Sequence, residues 1–348
     1  MSRTEQAVSP LRFCFYAMNT EVEVQLLADR EQAEHAACLV KNWFETQEQR
    51  FSRFVADSEL NRLNKSEGWV PVSAAMDEVL SLAYGYIGQT EGIFQPGISQ
   101  ALRSAGYDIS FEKMQQRGFQ LPLLARLFRT RENESFSMSE HGYDYSRPNW
   151  IQREGSRMVH LDPGAELDLG GIVKGWAVER IADWLQKTLK ITAGMINAGG
   201  DVQVWGTKDH QHWTLEIKSP FSQEQGMNGA VRLQRGAVAT SGITRRQWQD
   251  EHGLTAHHLI DPRTMEPSLT DILQCTVVGQ HASQCEIIAK TVCILGSAEA
   301  VNWLNRHYDR HDALWITREG NVYFRGNTAT LAECWPGFDP DHRFSLIE

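Results

Sequence analysis

A carboxylate, two glycines and a lysine stand close together in Asp168-Leu169-Gly170-Gly171-Ile172-Val173-Lys174-Gly175. An apolar run ends in the acid, turns through the glycines and enters a helix that begins near the lysine. Glycine lets a ligand approach the backbone closely, and a helix N-terminus beside a lysine suits a phosphate. Taken alone, the same pattern is more often only a tight connection. It contains neither the GxxxxGK[ST] of a Walker loop nor the GxGxxG of the dinucleotide fingerprint, so a Rossmann reading loses its main support.

Three more stretches have chemical potential. Asn197-Ala198-Gly199-Gly200-Asp201 is a glycine corner between apolar runs, which in isolation reads as a hairpin or bulge. Ala239-Thr240-Ser241-Gly242 ends a strand with two hydroxyls, able to bind a phosphate or a flavin edge and equally common as turn chemistry. His257-His258-Leu259-Ile260-Asp261-Pro262 places His258 on a short strand leading into a turn, where an imidazole can serve as base or ligand contact near neutral pH. A lone His-Asp pair at this spacing is usually structural.

The elements that must position these residues are legible in part. Phe13 to Leu27 ends in Glu-Val-Glu-Val-Gln-Leu alternation and predicts a strand with one solvated face. Apolar residues at helical spacing predict a helix over Arg30–Arg50, and Ser73 predicts the cap of another running to Tyr86. Strands are expected at Val159–Leu161, Glu166–Leu169, Met195–Ile196, Val202–Trp205, Trp213–Lys218, Ala230–Leu233, Val238–Ser241 and Leu273–Val278. Helices are expected over Lys174–Leu189, over Cys285–Leu295 and from Ala298. Between about 107 and 148 polar, aromatic and basic residues mix without a period, which reads as a surface excursion. Runs of strands broken by long helices predict an α+β fold with a largely antiparallel sheet. A larger body with a smaller lobe is expected, forming one domain over about 11–345.

The 348 residues carry a formal net charge of −10, which argues against nucleic acid as a main partner. Arg245-Arg246 remains a local basic group for a small phosphorylated ligand. The six cysteines form no CxxC and no zinc spacing, so free thiols and a reducing compartment are expected. No signal peptide and no apolar run of about 18 residues is present, which predicts a cytoplasmic protein that does not insert in membranes.

Each motif is weak singly, but their order is specific. The sequence resembles the FAD:protein FMN transferase family. The match starts at Ala17-Met18-Asn19-Thr20, where the family usually has Met-Gly-Thr. It continues through Glu48-Gln49-Arg50-Phe51-Ser52-Arg53-Phe54, Asp57-Ser58-Glu59-Leu60-Asn61-Arg62-Leu63-Asn64 and Gly92-Ile93-Phe94-Gln95-Pro96. The Asp168 segment, the Asn197 corner, the Thr240 turn and the His258 strand then follow in the family's order. The resemblance implies an FAD cleft between a larger and a smaller part. It implies FAD contacts from Met18, Phe54, Gly92, Ile93, Phe94, Asp168, Lys174 and His258, with Thr240 and Ser241 lining the flavin site. It also implies a magnesium ion on the Gly171 carbonyl, and FMN transfer to a Thr or Ser hydroxyl of an acceptor protein, with His258 as proton acceptor and Lys174 beside the phosphates.

One departure concerns the metal. The family's helix reading Ala-Asp-Ala-Leu-Ala-Thr-Ala is here Cys285-Glu286-Ile287-Ile288-Ala289-Lys290-Thr291. Glu286 takes the aspartate's metal-ligand position, and Lys290 takes the threonine's. A protonated lysine offers three donors and no lone pair. Lys290 then stands in for part of the metal's charge, as a third catalytic group beside His258 and Lys174, or catalysis is lost and FAD is only bound, or the two residues are an ordinary i,i+4 pair. A hydrolase releasing FMN and AMP is a further alternative.

Overall fold

The computed structural model describes residues 10–116, 144–153, 155–207, 211–221, 229–249 and 255–346. Its first two strands, β1 (Leu11–Ala17) and β2 (Thr20–Leu26), are one antiparallel hairpin rather than the single strand expected. The turn residues Met18 and Asn19 sit at φ of 53° and 57°. Two successive positive φ values match the twist of a tight hairpin.

Helix α1 (Arg30–Phe51) starts where the Asp29 side chain accepts the Gln32 N–H at 2.9 Å, and it buries Ala33, Ala36, Ala37, Val40, Phe44 and Phe51 along one face. Helix α2 (Ala74–Gln89) is capped by Ser73, as expected. Helix α3 (Val173–Lys187) follows the Gly170-Gly171 turn and has no side-chain cap of its own. Helix α4 (Ala282–Leu295) buries nearly every residue and passes through Gly296 into α5 (Ser297–His307).

The remaining strands of the main sheet are β3 (Gly194–Ala198), β4 (Asp201–Trp205), β5 (Gly236–Gly242), β6 (Ile272–Gly279), β7 (Asp312–Thr317), β8 (Val322–Gly326) and β9 (His342–Ser345). Among the described residues the sheet has nine strands, neighbouring one another in chain order. All pairs are antiparallel except β8 with β9. The fold is therefore α+β with a mainly antiparallel sheet.

Both faces of this sheet are covered. One carries the largest core, where α1, α2, α3 and α4 pack through residues such as Phe44, Val79, Trp176 and Ile288. The other holds a hairpin of Trp213–Ile217 and Gly229–Leu233, with Trp335 and Phe338. A third, small cluster joins Ala101, Leu102, Tyr107 and Met114 to Trp248, Ala256 and Ile260. The excursion expected at about 107–148 falls mostly on 117–143, outside the described residues; of its described part, Tyr107 and Met114 are buried.

Glu166–Leu169 is not a strand. Leu167 and Leu169 are both buried, which gives a strand-like alternation, but the backbone partners lie elsewhere. The Leu167 N–H and carbonyl bond the Asn64 side chain, each at 2.9 Å, and the Asp168 N–H donates to the Pro96 carbonyl at 2.8 Å. A side-chain amide has replaced a neighbouring strand.

Candidate active site

Arg53, just past the end of α1, sends its Nε to within 2.8 Å of the Asp168 carboxylate, and its guanidinium lies over the rings of Phe54 and Tyr107 at 4.3 and 4.6 Å. Asp168 also accepts the Gly170 N–H at 2.7 Å, which folds the glycine turn back on the acid. These residues form one wall of a cleft between the main core and the small third cluster. The cleft encloses about 1190 Å³ of atom-free space, part of it open to solvent.

The lining brings together Met18, Phe54, Ile93, Phe94, Asp168, Gly171, Lys174, His258 and Lys290, residues from nearly the whole chain length. Gly92, Thr240, Ser241 and Glu286 do not line it. Gly92 sits behind the wall against Tyr145. Thr240 Oγ1 lies 3.0 Å from Thr276 Oγ1 on β6, across the β5–β6 pair, and the Ser241 carbonyl accepts the Cys293 thiol of α4. Arg53, Arg246, Tyr107 and Glu48 line the cleft and were not among the expected site residues. Arg246 had only a general signal, a basic pair in an acidic chain.

Glu286 lies beneath the floor and is fully buried. Its Oε1 accepts from Lys174 Nζ at 2.8 Å and from Lys290 Nζ at 2.7 Å, while its Oε2 accepts the Gly175 N–H at 2.9 Å. Gly175 is in the first turn of α3, so Glu286 supplies the cap that α3 otherwise lacks. The approach requires a glycine: a Cβ at 175 would stand 2.8 Å from the Ala282 carbonyl oxygen of α4. Lys174 continues the chain of charges to Asp201, 3.0 Å away at the start of β4. Asp201 carried no signal beyond being an acid beside the Asn197 corner. That corner is a hairpin turn whose Gly199, at φ of 69°, packs against Thr20 of the first hairpin; a Cβ there would meet Thr20 Oγ1 at 2.2 Å.

The protonation balance follows from this packing. For Glu286 burial opposes ionisation, but the Lys174 and Lys290 ammoniums outweigh it and hold the carboxyl below its usual range. Burial likewise disfavours the Lys174 ammonium, yet Asp201 and Glu286 more than offset it and the pKa is raised. At Lys290 burial prevails over the pull of Glu286, Lys174 adds to it, and the pKa is lowered. Burial and then Glu286 push Asp201 up, against the lysines.

His258 lies in a bend between the short strands Thr255–His257 and Ile260–Asp261, not on a strand itself. Burial first, then Arg246, His257 and Lys290, hold its imidazole well below the ordinary range, so the ring is neutral. Its Nδ1 is buried with no hydrogen-bond partner among the described residues. Adjacent His257 is structural: its Nε2 donates to the Ser268 carbonyl at 2.9 Å and its Nδ1 accepts the Leu259 N–H.

The donor set does not fit magnesium. Both oxygens of Glu286 are occupied, two of its three partners are ammonium groups, and the second expected ligand position is Lys290. Among the described residues no group of three or more histidine, cysteine, aspartate or glutamate side chains is placed to hold a metal ion.

Residues 18–315 match the sequence model of the ApbE family. The chain belongs to the ApbE family. ApbE-type relatives named FAD:protein FMN transferase include one from Klebsiella pneumoniae, 30% identical over 160 residues that make 46% of this chain and 48% of that protein. One from Rhodobacter capsulatus is 31% identical over 49% of this chain and 31% of its own length, and one from Treponema pallidum is 24% identical over 88% and 84%. The chain thus spans about half or less of the first two. Among solved structures it is similar to the ApbE protein of Thermotoga maritima, with TM-score 0.72, 20% identity and coverage of 90% of this chain and 96% of the other. The flavin transferase ApbE of Vibrio cholerae gives TM-score 0.69 at 20% identity, covering 88% and 93%. At such identity these likenesses speak to the ApbE fold. No helix among the described residues is long and apolar enough to cross a membrane, and the six cysteines are free thiols.

Proposed function

We propose that this chain binds FAD in the cleft and transfers the FMN half to a Thr or Ser hydroxyl of an acceptor protein, with 11–345 acting as one flavin transferase-like domain. The observation that carries this reading is the convergence of the Asp168 turn and His258 on one cleft, from segments about 90 residues apart in sequence. The names of the relatives, FAD:protein FMN transferase, support the same reaction.

The chemistry matches the groups present. The acceptor hydroxyl oxygen attacks the phosphorus of the FMN half; the phosphorus–oxygen bond to the AMP phosphate breaks, and AMP leaves with the electron pair. The hydroxyl proton passes to the neutral imidazole of His258, which lines the cleft. Charge grows on the transferred and leaving phosphates, and such a reaction depends more on placed cations than on a strong base. Lys174, Lys290 and Arg246 border the same space. Phe54, Phe94 and Tyr107 offer apolar and aromatic surface for the flavin ring. Magnesium has no part in this chemistry, because the donor set around Glu286 does not fit it.

The test is incubation with FAD and an FMN-binding acceptor domain, followed by a denaturing gel. Flavin fluorescence that stays with the acceptor supports transfer. AMP released without labelling favours a pyrophosphatase, and FAD bound without turnover favours a flavin-binding protein.

A further inference from the structure

We infer that the Lys290 ammonium, anchored on Glu286, does the charge-compensating work of a divalent cation, so that FAD binding and FMN transfer by this chain proceed without one. The inference rests on the proposed FAD site and adds how that site neutralises its phosphates.

Three features of the geometry carry it. Lys290 lines the cleft, and its stem lies along the glycine turn: its Cε is 3.5 Å from where a Gly171 Cβ would stand, beside Phe94. The ammonium is 2.7 Å from Glu286 Oε1 and its side chain is only 15% exposed, so the charge is fixed at one place rather than solvated on a mobile arm. Lys174 and Asp201 close the set, two carboxylates against two ammoniums, which leaves no excess negative charge to draw a dication.

A divalent ion at Glu286 would have to displace one ammonium and then stand beside the other in a part-buried site, where repulsion is poorly screened. A dinucleotide phosphate gains from the opposite arrangement. Lys290 has three donors and one bond to Glu286, so further donors remain for phosphate oxygens.

The experiment compares FAD affinity of the chelator-dialysed chain, by flavin fluorescence, with and without millimolar Mg²⁺, and titrates Mn²⁺ onto the FAD-saturated chain by electron paramagnetic resonance. The expected result is an FAD Kd that changes less than about twofold and no stoichiometric Mn²⁺ site. Lys290→Met, which keeps the stem and leaves Lys174 on Glu286, is expected to weaken FAD binding about tenfold with a folded thermal profile. One tight Mn²⁺ per chain, a tenfold gain in FAD affinity with Mg²⁺, or unchanged affinity in the Met variant overturns the inference. Acceptor labelling is read in the same two buffers: labelling that appears only with Mg²⁺ overturns the inference, whereas metal-independent binding with no labelling in either buffer rejects the transferase reading and leaves the role of Lys290 in FAD binding standing. Absence of FAD binding in both buffers rejects the site and the inference together.

Discussion

Arg53 and Asp168 form a nearly buried ion pair, Nε to Oδ2 2.8 Å, that ties the end of the first helix to the glycine turn. Because Asp168 Oδ1 also accepts the Gly170 N–H, the acid shapes the turn as well as neutralising the arginine. Asp168→Ala is expected to weaken FAD binding at least tenfold and to cost about 3 kcal/mol of stability, since it strands a guanidinium with little exposure. Flavin fluorescence and urea unfolding check the two parts. Asp168→Asn, which keeps the acceptor to Gly170, should keep more of the fold than of the affinity. An Ala variant that binds FAD normally would remove Asp168 from the site.

His258 predicts a different pattern. If His258 takes the acceptor's proton, as proposed, His258→Ala should lower turnover by roughly 10²–10⁴ while leaving the FAD Kd within about threefold. Because burial keeps the ring neutral well below its ordinary pKa of 6.5, the transfer rate should stay level as pH falls through 6.5 and decline only in more acid solution. A pH–rate profile centred near 6.5 would contradict this.

Gly175 joins α3 to α4 by backbone contact. Gly175→Ala places a methyl 2.8 Å from the Ala282 carbonyl oxygen and forces the helices apart, at an expected cost of about 1–3 kcal/mol. The same shift moves the N–H that Glu286 caps, so FAD affinity should fall together with the urea midpoint. A loss of neither would mean the helices have slack that their contacts do not show.

Stability should fall in acid for a traceable reason. Burial pushes His257 down to about 4 from its ordinary 6.5, and His311 likewise to about 4. A histidine that is neutral when folded binds its proton first in the unfolded chain, so its contribution is complete above pH 6.5 and lost as pH falls toward 4. For His257 that is at most about 3 kcal/mol. Urea unfolding between pH 7 and 4.5 should show His257→Gln with a shallower slope than the parent chain, by about one proton; identical slopes would refute the assignment.

Much of this was legible in the sequence, for physical reasons that differ between elements. The helix at Arg30 shows a full apolar face and an aspartate cap, and the one at Ala74 has its serine. Asp168, Lys174, Lys290 and His258, singled out from the order of the motifs, line a single cleft. The first hairpin was hidden because Met18 and Asn19 adopt positive φ without a glycine to announce it. Glu166–Leu169 imitated a strand through buried leucines, while Asn64, 103 residues away, satisfied its backbone. Asp201 and Arg53 were missed because their importance is pairwise: nothing local tells that one will meet Lys174 and the other Asp168.

The most direct measurement is a crystal structure of the chain soaked with FAD in chelator-treated buffer. The dinucleotide should lie in the cleft with its phosphates within hydrogen-bond reach of Lys290 and beside the His258 ring. Flavin density on any other surface, or an empty cleft at saturating FAD, would contradict the account.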